Sequence, residues 1–223
     1  MLASLPRKDR QRILLAGEPA NLALAEVLGE PGERIRHVYF PTDSFISLVT
    51  PMEGHGSLEV GMVGDEGMLG ISLILGVNIS PLRCLVQGAG SALRMSTATF
   101  HRQLAASKAL EKTLKRYLYV LRSQLAQMAV CTRFHLVEAR LARWLLMSQD
   151  RAHADAFPVT QEFLAYMLGV RRVGVTKAAS ALRKRKLIDY QRGKMAILDR
   201  AGLEGAACGC YAAVNNAYDL IMA

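Results

Sequence analysis

Residues Leu168–Lys186 read LGVRRVGVTKAASALRKRK. Within this stretch Val175, Ala178, Ala179 and Leu182 recur at i, i+3, i+4 and i+7, the spacing of one buried helix face. The other side of the first two turns carries Arg171, Arg172, Val173, Gly174, Thr176 and Lys177. Gly174 weakens such a helix by roughly 1 kcal/mol against Ala, a loss that close approach to a DNA methyl or sugar would offset. Upstream, Thr160 stands at an N-cap position before QEFLAYML, whose Leu164, Met167 and Leu168 form an inward face. Gly169 supplies the turn between the two helices, because only glycine takes positive φ without strain. Two short helices joined this way form a helix–turn–helix. The second helix of that motif offers its N-terminal turns to base edges in the major groove. The planar fork of arginine can bond O6 and N7 of one guanine, and Lys177, one turn later, can reach a second base or a phosphate. The run Arg183–Lys186 lies at the far end of the helix. There it complements the helix dipole or touches phosphate, and no base contact is assigned to it.

Downstream, LIDYQRGKMAILD (residues 187–199) sets two short apolar runs around a turn containing Gly193. This reads as a β-hairpin wing with Arg192 and Lys194 at its tip, placed to lie against a phosphate backbone. Thr160 completes the candidate DNA-contacting set. The charge distribution agrees. The chain of 223 residues has a formal net charge of +9, and residues 133–200 hold 14 Lys/Arg against 6 Asp/Glu. Residues 1–132 hold 14 against 11, and the last 23 residues carry only Glu204 and Asp219. A basic block inside a periodic apolar pattern suits a folded domain with a polyanionic partner.

The first half has a different texture. SLEVGMV (residues 57–63) alternates Leu58, Val60 and Met62 with Glu59, Gly61 and Val63. LRCLVQ (residues 82–87) alternates Leu82, Cys84 and Val86 with Arg83, Leu85 and Gln87. A period of two predicts strands with one buried face, here with Leu58, Val60 and Met62 inward. Nine of the 18 glycines fall between Gly54 and Gly90, with Pro41, Pro51 and Pro81 nearby. Short strands between such turns predict an antiparallel roll rather than a βαβ sheet. LPRKDRQRILLAG, ahead of it, reads as a leading helix. From Thr97 to about Cys131 there is no Pro or Gly, and Leu110, Leu114, Tyr117, Leu118, Leu121, Leu125 and Met128 recur at helical spacing. That seam either packs on the roll or pairs with its twin in a second copy. A second helix, HLVEARLARWLLMSQ, sets Leu141, Trp144 and Leu145 on one face. It is followed by RAHADAFPV, which reads as a polar hinge closed by Pro158.

The N-terminus has no apolar run long enough for a signal peptide, and no run approaches the ~18 residues of a membrane helix. Cys84, Cys131, Cys208 and Cys210 are scattered without a disulfide-scaffold spacing, which fits a reducing cytosol. The pair in ACGC could bind metal or sense redox, but two ligands alone do not make a structural zinc site, so no metal and no cofactor are expected. No G-x-S-x-G, Walker or metal-ligand cluster is seen, and Asp65 and Glu66 of GDEG are adjacent and read as part of a turn. The chain is not expected to be an enzyme.

The order of roll, long helix and winged helix–turn–helix resembles the Crp/Fnr family of bacterial transcription regulators. The resemblance is carried by EPGERIRHVYFP (30–41), GSLEVGMVGDEGMLG (56–70) and VTQEFLAYMLGVRRVGVTKAASALRKRKLIDYQRGKMAILD (159–199). VYFP, VGMVGDEGM and MLGVRR resemble a branch of the family without a known small-molecule cue. The resemblance implies an α+β chain in three parts: a cyclic-nucleotide-binding-like β-roll over 1–105, a dimerisation helix over 106–134, and a winged helix–turn–helix over 135–223. It favours dimerisation for the seam from Leu110 to Met128. It implies a homodimer on a two-fold-symmetric double-stranded DNA operator, with RNA polymerase as a further candidate partner.

The family's recognition segment carries Arg, then Glu, then a second Arg four residues after the Glu. Here those places hold Arg172, Val173 and Lys177, and the loss of Glu removes an acceptor for cytosine N4–H. Relatives that bind cyclic AMP use a Gly-Glu pair and a downstream Arg that holds the cyclic phosphate. Here Ile71 stands in the Glu place and Leu82 in the Arg place, with Arg83 one residue on and so on the other strand face. Cyclic AMP dependence is therefore not expected. No Cys precedes Cys84, which excludes an N-terminal iron–sulfur cluster. The competing reading is a signal-sensing β-roll protein whose DNA binding is secondary or depends on an effector.

Overall fold

The computed structural model describes residues 1–52 and 56–223; Gly54, counted above among the roll glycines, lies outside them. The chain forms two compact units. One comprises residues 1–48, 61–122 and 218–223, the other 49–60 and 123–217.

The first unit opens with helix α1 (Arg7–Ala16), the expected leading helix, which buries Ile13. Strands β1 (Glu18–Leu22), β7 (Gly90–Ser96) and β3 (His37–Pro41) form one antiparallel sheet in the order β1-β7-β3. A second sheet runs β2 (Val27–Gly29), β6 (Arg83–Gly88), β4 (Phe45–Met52), β5 (Gly56–Val63). The core joins Val38, Phe40, Leu93 and Met95 from the strands to Phe100, Leu110 and Leu114 from the helices that follow. Those helices are two, not one. Ser107 ends α2 (Thr97–Ala106), and its hydroxyl accepts the Leu110 amide at 3.1 Å to cap the start of α3 (Lys108–Phe134). Serine favours this exchange because its oxygen replaces a missing helix acceptor.

β6 turns Cys84 and Val86 inward as its alternation predicts. β5 keeps the period of two but inverts the expected face near its start. Ser57 and Glu59 are buried while Leu58 and Val60 are only half-buried; Met62 and Val63 are both buried. Tertiary surroundings, not residue type, choose which face of a strand is inside.

In the second unit, α4 (Val137–Ala152) places Leu141, Trp144 and Leu145 in the core as expected, yet it is buried nearly all round, from Arg140 to Gln149. The segment read as a hinge, residues 151–159, holds the end of α4, a turn and strand β8 (Ala156–Pro158). The strand pairs antiparallel with β10 (Lys194–Ile197), whose other edge pairs with β9 (Ile188–Gln191). The three-stranded sheet packs with α6 (Arg172–Lys184) through β9, α5 (Gln161–Leu168) packs on α6 and α4, and α7 (Arg200–Ala206) and α8 (Cys210–Met222) follow. No described helix is long and apolar enough to cross a membrane.

Candidate nucleic-acid interface

The Thr160 hydroxyl accepts the Phe163 amide at 3.1 Å, the N-cap that starts α5. Leu164, Met167 and Leu168 are buried, and Gly169 ends the helix at φ +62°. A Cβ on Gly169 would stand 3.1 Å from Leu58 Cδ1 and 3.3 Å from the Ser57 carbonyl oxygen, so both conformation and space select glycine. Buried Arg140 donates to the Leu168 carbonyl and so satisfies the open end of α5. Arg171 is the N-cap of α6, and Val175, Ala178, Ala179 and Leu182 are its buried residues, the four that the periodicity places inward.

The opposite side of α6 leaves Arg171, Arg172, Val173, Thr176 and Lys177 exposed, with Gly174 half-buried. Val173 is 59% exposed, an apolar side chain that nothing in the described chain covers. A Cβ on Gly174 would meet nothing within 4 Å, so the chain's own packing does not require glycine there. Thr176 Oγ1 donates to Gln161 Oε1 at 2.7 Å and to the Arg172 carbonyl at 3.1 Å. This ties the first turns of α5 and α6 together. Gln161 was not singled out from sequence; its place directly after the N-cap is the one signal that could have found it.

The wing turn holds Arg192 at φ +49° and Gly193 at φ +77°, the pair of positive φ values that a tight two-residue hairpin needs. Thr160, Gln161, Glu162, Arg172, Tyr190, Arg192 and Gly193 line one cleft of about 490 Å³. Arg172 and Arg192, twenty positions apart in sequence, thus share a surface with Thr160. Lys194 is exposed on the next strand of the same wing. Of the distal run only the arginines have carboxylate partners; Lys184 and Lys186 are exposed and have none among the described residues. Arg183 pairs with Asp189 at 3.1 Å and Arg185 with Glu138 at 3.2 Å. Among the described residues no carboxylate pairs with Arg171, Arg172, Lys177, Arg192 or Lys194.

In the first unit a cavity of about 890 Å³ is lined by Arg34, Arg36, His37, Tyr39, Gly70, Ser80, Cys84 and Thr97, among others. The two residues read against a cyclic phosphate are engaged elsewhere. Ile71 packs on the core, and Arg83 bonds Glu30 at 2.9 Å. Burial pushes the Cys84 thiol up to about 11, despite the hydrogen bond with Ser80, so it stays protonated near neutrality. GDEG is a turn, whose Asp65 carbonyl accepts the N-terminal amine at 2.6 Å and whose Glu66 carbonyl accepts the Tyr218 hydroxyl at 3.2 Å.

The seam on α3 is divided. Leu110, Leu114 and Tyr117 are fully buried within the chain, and Leu121 and Met128 nearly so. A Cβ on Gly67 would stand 2.0 Å from the Tyr117 hydroxyl, which shows how closely that ring is packed. Leu118 is half-buried and Leu125 is 48% exposed. Tyr119 and Val130, absent from the sequence reading, are exposed beside them.

The cysteines also depart from the expectation of scattered, unrelated thiols. Cys131, Cys208 and Cys210 are buried together, and His135 lies against them. The hydrogen bond between Cys131 and Cys208 pushes Cys131 above the usual thiol range and holds Cys208 below it. The signal available in sequence was Cys131 and His135 at i and i+4, one turn apart at a helix end.

Comparison with known proteins shows the fold that the chain shares. Residues 139–206 match the Crp-like helix-turn-helix domain. A crp/fnr-family transcriptional regulator from Eubacterium rectale superposes with TM-score 0.70 at 14% identity, covering 92% of this chain and 95% of that one. FixK2 from Bradyrhizobium japonicum superposes with TM-score 0.72 at 12% identity, covering 86% and 98%. A CRP-family regulator from Thermus thermophilus gives 0.62 at 21% identity, covering 84% and 96%. No curated protein matches the chain in sequence. The chain therefore has the α+β fold of the Crp/Fnr transcription regulators and carries their helix–turn–helix domain.

Proposed function

We propose that this chain is a sequence-specific transcription regulator. It binds a two-fold-symmetric operator as a homodimer, without cyclic AMP. The observation that carries the reading is the set of five cations, Arg171, Arg172, Lys177, Arg192 and Lys194, on the first turns of α6 and the wing tip, which have no carboxylate partner among the described residues. Cations left unpaired on one surface, while their neighbours Arg183 and Arg185 are neutralised internally, are matched to phosphates and base edges outside the chain. Arg172 and Lys177 read bases, Val173 and Gly174 meet a thymine methyl or sugar, and Thr160, Arg171, Arg192 and Lys194 hold the backbone.

The second copy lies along α3. Leu118, Leu125 and Ala129, with Tyr119 and Val130 beside them, form the face that a twin helix covers, since Leu110, Leu114 and Tyr117 are already used by the roll. Independence from cyclic AMP is supported by Ile71, packed against the core, and by Arg83 on Glu30. The test is selection from a randomised DNA pool at two salt concentrations, without effector, beside Arg172→Ala. The expected result is a two-fold-symmetric motif with half-sites about one helical turn apart, lost in the variant. Only sequence-blind, steeply salt-dependent binding would favour the reading in which an effector must first act on the roll.

A further inference from the structure

Four side chains that the DNA-facing surface does not use converge inside the second unit. Cys131 and His135 project from the C-terminal end of α3, one turn apart, while Cys208 and Cys210 flank Gly209 where α7 passes into α8. Cys131 Sγ is 3.5 Å from Cys208 Sγ, and Cys210 Sγ is 3.4 Å from His135 Nδ1. The ligand atoms of all four lie within 4.8 Å of one another. A tetrahedral zinc ion, with Zn–S near 2.3 Å and Zn–N near 2.0–2.1 Å, sets neighbouring ligand atoms about 3.5–3.8 Å apart. The cluster is thus already close to the size of a coordination shell. The cysteines are buried and free, and His135 is partly exposed at its edge, which leaves a way in.

The surroundings fit an anionic centre. Gln127 Nε2 stands 3.0 Å from Cys210 Sγ, as an outer amide donor to a ligating sulfur does. Arg140 and Arg143 are buried beside the cluster. No carboxylate pairs with either among the described residues, and the Nε atoms of both have no hydrogen-bond partner. Among the described residues the acceptors of the Arg143 guanidinium are the sulfurs of Met128 and Met147, each at 3.3 Å. Two buried cations without a carboxylate need compensating charge nearby. Three thiolates, a neutral imidazole and a divalent ion carry a net charge of −1.

We propose that Cys131, His135, Cys208 and Cys210 bind one thiophilic divalent metal ion, zinc by the softness of the ligand set. Binding releases the thiol protons to solvent. Four protein ligands leave no open position, so the ion is structural, not catalytic. It cross-links the end of the long helix to the α7–α8 link. A disulfide between Cys131 and Cys208 is the competing use of the same pair, and it gives Cys210, His135 and the buried arginines no role.

The experiment uses the full chain, reduced and stripped with a chelator, with cobalt(II) as the probe. The expected result is the intense visible spectrum of tetrahedral cobalt with a near-ultraviolet thiolate charge-transfer band. It saturates at one cobalt per chain and is bleached by one equivalent of zinc(II). Gln127→Ala should weaken cobalt binding by about tenfold, and the double variant Cys208→Ser/Cys210→Ser should abolish the bands. Reduced wild-type protein that is folded by circular dichroism yet shows no tetrahedral cobalt overturns the proposal, as does binding that survives the double variant. Should that variant fail to fold, the wild-type titration decides alone. A Cys131–Cys208 disulfide formed in air by protein that takes no cobalt when reduced would mark a redox pair and also overturn it.

Discussion

Gly169 and Gly174 sit five positions apart and owe their identity to different things. Gly169 holds φ +62° against Leu58 and Ser57. Gly169→Ala should lower stability by about 1–2 kcal/mol, the cost of a left-handed alanine, read as a fall in the denaturant midpoint. Gly174 has open space around it. Gly174→Ala should raise stability by roughly 1 kcal/mol while weakening operator binding; a variant that gains stability and keeps full affinity would remove the close-approach role assigned to this position. Cys84 offers a third residue-scale check. Its raised thiol pKa, set first by burial, keeps it protonated at pH 7. Iodoacetamide should leave it unmodified in the native chain and label it after denaturation, as peptide mass spectrometry would read.

At the scale of elements, the wing and the recognition helix do different work. Arg192 and Lys194 project from a hairpin tip and meet only phosphate in the proposed complex. Arg192→Ala/Lys194→Ala removes two phosphate contacts from each protomer of the proposed dimer, so it should reduce the slope of log K against log salt by about 4 and leave operator preference unchanged, as binding titrations across a salt series would show. The helix–turn–helix was legible in sequence because its signals are local: the Thr160 cap, the Gly169 turn and the α6 face all lie within 23 positions. The face of β5 was not legible. Alternation of Leu58, Val60 and Met62 with Glu59 says that the strand has two faces, but which one is covered depends on the elements that pack on it, and Glu59 ended up inside.

At the scale of the whole molecule, the long helix buries only part of its apolar face inside the chain. Its apolar positions are too many for one interface, and the roll takes Leu110 and Leu114 while leaving Leu125 exposed. If the proposed dimer forms along α3, Leu125→Glu should leave the fold intact and convert that dimer to a monomer in sedimentation velocity. Operator affinity should fall with it, because each half-site is then bound alone. A variant that remains dimeric would move the interface elsewhere.

Sequence alone determined that the N-terminal half is a roll and that a capped helix pair with a basic wing follows. Period, cap and turn chemistry act between residues a few positions apart, so the chain states them openly. It also determined that the C-terminal block is basic. Only the tertiary structure decided which of those cations remain unpaired, since Asp189 and Glu138 reach Arg183 and Arg185 from other elements. It likewise divided the α3 seam between the roll and the surface. And it brought Cys131 and His135 to Cys208 and Cys210, ligands whose separation along the chain hides a proximity that packing alone creates.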